Sequence, residues 1–331
     1  MELQQLHCFI AVLEEGGFKR ATARLGMTQP ALSYQIRRLE EELGVQVFRR
    51  GPGGITPTEA GRVLLEHAHQ VIAAVRAAHQ AVRELSGGVA GELRVGAIKC
   101  AGQYFLPRIL KELQLKYPRI RPTLLYQESD EIMASLLANK IDVAIAVDPP
   151  PDERLRHVPV FEEAISIVSG RGHPFFGRAS VTVEELKGVT LVALSPRTSA
   201  GAIAKQYLDR QGISVTPVLT TDDIETVKRM VESGVGVAFL PDMSTAEDVA
   251  ADGEPGRLSR SAIEPTLSLP LAVTTWRDAN ASIAVDAFVE EVRRIAAEWD
   301  GKADGPPAPV PVASPPPRKV ERRARKVASR K

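Results

Sequence analysis

Only two cysteines, Cys8 and Cys100, occur in the 331 residues. They fall in stretches of different character, so no disulfide framework is expected. Long apolar runs are also missing: stretches such as Val235 to Leu240 are far shorter than the roughly 20 residues that cross a bilayer. The N-terminus lacks a basic start followed by an apolar stretch and a small-residue cleavage site, so the chain is expected to stay in the cytoplasm with no membrane partner. The histidines, at positions 7, 67, 69, 79, 157 and 173, show no ligand spacing with cysteines or acids. His67 and His69 are two apart on a helix and point in different directions, which argues against a metal site. No nucleophile elbow, phosphate-cradling glycine loop or dinucleotide fingerprint is present, so no catalytic residue and no cofactor are assigned.

A strong net charge is lacking too. The formal value is +1, but residues 301–331 hold nine Lys or Arg against two acids, and residues 1–58 hold seven against six. The stretch between them is therefore acidic. Overall charge says nothing about partners, and placement has to decide.

What is there begins with helical periodicity. Leu6, Phe9, Ile10 and Leu13 form one stripe, Phe18 to Leu25 a short second helix, and Gly26 a left-handed stop. Thr28 reads as an N-cap, with Pro30 tolerated in the first turn. Leu32, Ile36, Leu39 and Leu43 give the third helix its buried face. This is the helix-turn-helix pattern. The stretch "VQVFRRGPGGITPT", with Val45, Val47 and Ile55 alternating around a Gly-Pro-Gly-Gly turn, predicts a hairpin wing.

With that apolar stripe buried, Gln29, Ser33 and Arg37 stack one turn apart on the opposite side of the third helix, beside Tyr34 and Arg38. An amide, a hydroxyl and guanidinium groups on the exposed N-terminal half suit the major groove, where Gln bonds adenine and Arg bonds guanine. Glu40, Glu41 and Glu42 at the far end repel phosphates, so only the first half should enter. Arg49 and Arg50 on the wing can reach the phosphate backbone, as can the N–H groups at helix starts. A solvated face of a small helical domain is the bland alternative, but turn, cap, stripe and wing all agree.

A long helix follows from about Glu59, capped by Thr58, to Leu85. Leu64, Ala68, Val71, Val75, Ala78, Val82 and Leu85 repeat at alternating intervals of four and three, a heptad seam that a partner helix would bury. From residue 91 strands alternate with helices: "ELRVGAI", Tyr104 to Lys116, "RPTLLYQ", Asp130 to Asn139, "DVAIAV". A second set starts near Ala164 with "AISIVSG", "TLVALS", a helix from about Ala200 to Gln211, "TPVLTT", Ile224 to Glu232 and "GVAFLP". "LPLAVTTW" and a helix from Ser282 to Trp299 then return the chain to the first sheet. Largely parallel sheets in two lobes imply a cleft at strand carboxyl ends. The tail from Gly301 has seven prolines and a basic cluster and reads as disordered, either solubilising or adding nonspecific affinity for DNA.

The expected organisation is thus a winged helix-turn-helix over 1–58, a linker helix over 59–88 and an α/β region over 89–300. In that region lobe I takes in about 91–163 plus 268–300, lobe II about 164–267, and the tail is 301–331.

"FIAVLEEGGFKRATARLGMTQPALSYQIRRLEEELGVQVFRR" followed by "ITPTEAGRVLLEHA" closely resembles the N-terminal part of LysR-type transcriptional regulators. "LPRILKELQLKYPRIRPTLLY", "KIDVAIAV", "GRGHPF" and "MVESGVGVAFLP" look like that family's two-lobed, periplasmic-binding-protein-like effector domain. The resemblance implies a homodimer assembling into a homotetramer, a pseudo-palindromic double-stranded DNA site, and a small co-inducer in the cleft, with RNA polymerase a further candidate partner. By position, Gln29, Pro30, Ser33 and Arg37 match the family's recognition helix and Arg50 its wing arginine. Gly17 stands where the family often has serine, and Gly53 and Gly54 leave the wing without its usual extra charge, so weaker wing contacts are expected.

Effector residues implied by the same resemblance lie after the first strand (Lys99 and Cys100, within 98–101), near the second strand's end (Ser129) and at a lobe II helix start (Thr198 and Ser199). Lys99 would favour an anionic effector, unless it points away. Cys100 is either a small core filler or a thiol activated by its neighbours. The expectation is a sequence-specific, effector-controlled DNA-binding regulator and not an enzyme. Two rivals remain: a solute-binding or enzymatic α/β protein with a helical assembly head, and a nonspecific architectural DNA binder.

Overall fold

A computed structural model describes residues 1–51, 54–85, 91–249, 256–277 and 282–299. The side chains of residues 50, 76, 77, 80, 81 and 83–85 lie outside that description, as do the wing-turn residues 52 and 53 and the basic tail.

The head is α1 (Leu3–Glu14), α2 (Phe18–Leu25), α3 (Gln29–Leu43) and a hairpin of β1 (Phe48–Gly51) and β2 (Gly54–Pro57). Gly26 ends α2 at φ 62°, the left-handed stop expected, and the Thr28 hydroxyl accepts the Ala31 amide at the start of α3. Leu6, Phe9, Leu32, Ile36 and Leu39 close one core, each large side chain contributing about 1.5–3 kcal/mol by leaving water. Phe48 seats the wing on it, its ring 5.2 Å from Phe9 and 6.1 Å from Phe18. Two expectations shift by a turn. Leu43, placed on the buried face, is 38% exposed, and Val45, placed in the hairpin, is 49% exposed and precedes β1. The helix is ending there, and Gly44 in the left-handed region turns the chain out before Val47 re-enters the core.

The linker helix α4 (Glu59–Leu85) is capped as expected, the Thr58 hydroxyl accepting the Gly61 amide at 3.0 Å. Its apolar seam divides in two. Leu64 and Ala68 are 9% and 1% exposed and belong to the head's own core, so they are not open to a partner helix. Val71 and Val82 are 39% and 64% exposed, Ala78 is exposed and Val75 half-buried. The side chain of Leu85 lies outside the described residues.

The α/β region has two lobes joined by one long strand. In lobe I, β3 (Gly91–Ala97) pairs in parallel with β4 (Ile120–Tyr126) and β5 (Val143–Val147). Beyond β5 the sheet turns antiparallel, through β12 (Ser268–Trp276) and β6 (Leu155–Gly170). Lobe II pairs the far half of β6 with β10 (Ala238–Pro241) and β11 (Leu258–Glu264). β7 (Ser180–Thr182) flanks β11, and β8 (Val192–Leu194) with β9 (Leu219–Thr221) completes the layer through a bridge from Leu191 to Val237. The expected start of the second set near Ala164 is therefore the middle of a 16-residue strand. Only part of each sheet is parallel, because β6 and β12 run back along it.

Helices α5 (Leu106–Lys116), α6 (Ser129–Leu137) and α9 (Ile283–Ala297) pack on lobe I, and α7 (Ser199–Arg210) and α8 (Ile224–Glu232) on lobe II. A π turn over Ala101–Phe105 occupies the first residues expected of α5. Two ion pairs, Lys140–Glu14 at 2.9 Å and Arg154–Glu66 at 2.8 Å, reach from lobe I to the head and linker helix. With at least one partner of each pair half-exposed, they orient more than they stabilise. No described helix is long and apolar enough to cross a membrane.

Candidate DNA-reading face and effector cleft

On α3 the capped start leaves Thr28, Gln29 and Pro30 exposed, Ser33 half-buried, and Tyr34, Arg37 and Arg38 exposed. Among the described residues none hydrogen-bonds or ion-pairs with the side chains of Gln29, Ser33 or Arg37. Their donors and acceptors face water in a row, which adds nothing to helix stability but suits a polar surface to be read. Tyr34 lies beside Arg38, and its phenol oxygen favours the guanidinium's charged form.

The acidic end is bound into the head. Glu40 accepts the Val47 amide at 2.9 Å, anchoring the chain's return to the wing, and the amino terminus of Met1 pairs with Glu42. On the wing Arg49 is exposed and lies opposite Thr56. Arg50 lies in β1 opposite Ile55, and its side chain is outside the described residues.

The structure brings the five expected cleft residues to one place, but engaged with the protein itself. Lys99 reaches across from lobe I to the N-cap of α8, its Nζ 2.6 Å from Asp223 Oδ1. That ammonium, with the Thr226 hydroxyl and amide, holds the Asp223 carboxyl down at about 2. At the start of α7 the Thr198 hydroxyl accepts the Gly201 amide and is spent as a cap. Ser199 donates from its amide at 2.9 Å and its hydroxyl at 3.2 Å to Glu128 of lobe I. A carboxylate of the chain thus sits where a helix start favours an anion, although burial raises the Glu128 carboxyl. Ser129 Oγ lies 3.3 Å from Ser199 Oγ and accepts the Val147 amide.

Cys100 is 6% exposed, and burial pushes its thiol well up, with the Glu163 charge acting the same way. That is the opposite of an activated thiolate, because the neighbouring lysine is turned to Asp223.

Glu128, Asp223 and, further out, Tyr104 donating to Glu225 are cleft residues that the sequence reading did not include. The N-cap position of Asp223 ahead of Ile224 was a visible signal for one of them. Between Lys99, Glu128 and Ser199 only about 20 Å³ is open, room for one water. A larger cavity of about 310 Å³ opens between the lobes elsewhere, walled by Tyr104, Arg108, Lys228, Asp248, Arg257 and Trp299. None of the five expected residues lines it. Its charges are paired internally, Lys228 with Asp248 at 2.5 Å and Arg257 with Asp248 at 2.8 Å.

Residues 3–62 match the family model for the bacterial regulatory helix-turn-helix protein, lysR family. Residues 86–297 match that for the LysR substrate binding domain. The chain belongs to the LysR family of transcriptional regulators. It is a DNA-binding regulator of LysR type with an effector-binding domain.

This LysR-type chain is 34% identical over 241 residues to the HTH-type transcriptional regulator CbbR of Cereibacter sphaeroides, covering 72% of this chain and 77% of that protein. It is 28% identical to the DNA-binding transcriptional dual regulator OxyR of Escherichia coli (strain K12), over 76% and 83% of the two. Among solved structures, full-length CbnR complexed with the target DNA aligns with a TM-score of 0.61 at 25% identity, over 89% of this chain and 99% of that one. A full-length OxyR variant of Pseudomonas aeruginosa shares the fold at a TM-score of 0.68 and 24% identity, covering 88% and 95%. The regulatory domain of Synechocystis PCC6803 CcmR in complex with 2-PG does so at 0.56 and 20%, covering 63% and 99%.

Proposed function

We propose that this regulator reads a pseudo-palindromic operator through paired α3 helices, with Gln29, Ser33 and Arg37 on base edges and Tyr34, Arg38, Arg49 and Arg50 toward the backbone. The observation that carries this reading is the row of unengaged polar side chains on the exposed side of a capped helix. Pairing of heads is assigned to α4 beyond Ala68, where Val71, Val75, Ala78 and Val82 continue the heptad spacing outside the head core. A homotetramer, contact with RNA polymerase, residence in the cytoplasm and the absence of enzymatic activity belong to the same proposal. Footprinting on the DNA upstream of its own coding region tests it. A protein in which Gln29, Ser33 and Arg37 are all alanine should keep its fold and salt-sensitive binding yet lose the protected site. Retention of the same protected site overturns the assignment.

The effector is proposed to be a small anion, as the 2-PG complex of CcmR supports by analogy. An anion entering the cleft competes with Asp223 for Lys99 and with Glu128 for the Ser199 amide, so it exchanges contacts between the lobes for contacts to itself. Since the gap is about 20 Å³, entry requires the lobes to part. A ligand shifts that equilibrium only by its different affinity for the parted and closed forms.

A further inference from the structure

The two lobes are joined where β6 changes partners. Glu163 still pairs with Leu269 of β12, whereas Ile165 already pairs with Pro241 of β10. Glu163 is 3% exposed at this crossing, and its Oε1 accepts the amide of Met243 in the turn that follows β10. One carboxylate thus ties the crossing strand to lobe II.

Its surroundings are poor in positive charge. Asp242 faces it from the same turn. Arg260 of β11, a cation facing it, is engaged by Asp242, 3.5 Å from Oδ2 and donating to the Asp242 carbonyl at 3.1 Å. From β3's end the buried Cys100 thiol faces it, and from the end of α9 the Trp299 indole. The Trp299 indole N–H and the Ser166 hydroxyl lie close enough to Glu163 and Asp242 respectively to favour their charged forms, although neither Trp299 Nε1 nor Asp242 Oδ1 makes a well-aligned hydrogen bond among the described residues. Two carboxyl groups near one guanidinium in a buried site disfavour carrying two negative charges at once, so a proton on one of them is favoured.

We propose that Glu163 is a proton-operated joint: gain or loss of its proton changes how the crossing strand is tied to the Met243 turn, and with it the angle between the lobes. Burial, with Asp242 adding to it, pushes the Glu163 carboxyl up to about 7, so the joint titrates near neutrality. Above that pH the carboxylate draws on the Met243 amide and the Trp299 N–H. Below it the neutral acid accepts the Met243 amide more weakly and no longer repels Asp242. That the lobe angle alters DNA binding rests on the proposed function, but the joint itself does not.

The test uses the full-length chain without DNA. Its two tryptophans are Trp276 and Trp299, and only Trp299 faces Glu163. Emission recorded between about pH 5 and pH 9 should show one step centred near neutrality. The step should vanish in Glu163→Gln and in Trp299→Phe. Small-angle scattering should show a matching change in radius for the native chain and Trp299→Phe, and none for Glu163→Gln. Asp242→Asn is decisive, and it also serves if Glu163→Gln folds poorly. Removing that neighbouring charge should move the midpoint to lower pH. A step that survives Glu163→Gln, a midpoint unmoved by Asp242→Asn, or a native chain with no step overturns the proposal. Footprinting across the same range reads the DNA-binding consequence separately, so a failed regulator assignment leaves the joint standing.

Discussion

Gly61 occupies the first turn of α4 where that helix crosses the root of the wing, and replacing it with alanine should damage the head for a reason visible in its packing. A methyl group there would sit 2.1 Å from the Val47 carbonyl oxygen, 3.1 Å from its carbon and 3.2 Å from Pro57 Cβ. An ordinary contact with that oxygen needs over an ångström more, and the obstacle is backbone. The same carbonyl accepts the Thr58 amide at 3.0 Å, at the cap of α4, so moving it away strains a hydrogen bond worth about 0.5–1.5 kcal/mol.

Overpacking adds about 1–3 kcal/mol, while alanine's better helix propensity returns about 1 kcal/mol. The net loss is roughly 1–3 kcal/mol, which for a domain of the head's size lowers its melting temperature by about 5–20 °C. Scanning calorimetry of the full-length protein should show the head's transition moving down and that of the α/β lobes staying in place. Propensity acting alone predicts the opposite sign. A head transition at or above its native temperature would therefore refute the close approach of α4 to Val47.

Gly17 should respond the other way. It is the N-cap of α2 with no side chain to cap it, and there is open space around it, so Gly17→Ser should stabilise the head by a few tenths of a kcal/mol and tighten DNA binding, as calorimetry and titration would report. Arg37→Ala should cost about 1–3 kcal/mol of discrimination at one base position if the side chain reads guanine, and competition with single-base operator variants checks this. Lys99→Ala removes a cross-cleft pair about two-fifths exposed on both sides; such pairs contribute up to about 1 kcal/mol, so the closed form should fall up to about fivefold, read by scattering. Asp223 is held at about 2 against an ordinary 3.8, a depressed carboxyl. Its contribution is therefore present above about pH 4 and lost as pH falls toward 2, and an acid titration of Lys99→Ala should show a smaller such component than the native chain, the Thr226 hydrogen bonds to Asp223 remaining.

Local pattern made the head legible. Cap, stripe and glycine stops are set by neighbours a few residues away, and α8 matched its expected bounds at Ile224 and Glu232. The near half of β6 was hidden because Pro159 sits in it at a register shift, and proline inside a run argues against a strand. β11 escaped because "LSRSAIE" is too polar to show as a buried run, although its Ser261 is wholly buried and bonded to backbone. Along α4, four-and-three spacing states that a face is apolar but not what covers it. Leu64 and Ala68 answer to their own head, and the later positions do not. Cleft partners such as Lys99 and Asp223 stand 124 residues apart, beyond any local signal. The larger cavity near Trp299 was invisible for the same reason.

Because Leu64 and Ala68 are sunk into the head, α4 cannot swivel at its base and acts as a rigid axle. At 27 residues the axle is about 40 Å long, so a twist applied at its far end acts on the head through this one element. On the proposed pairing of α4 helices, two heads mounted on such axles keep a constant separation and phase, so one base pair inserted between half-sites should misalign the second head by about a tenth of a duplex turn. The protein, more than the operator, would then dictate the distance at which two sequence elements can be read together.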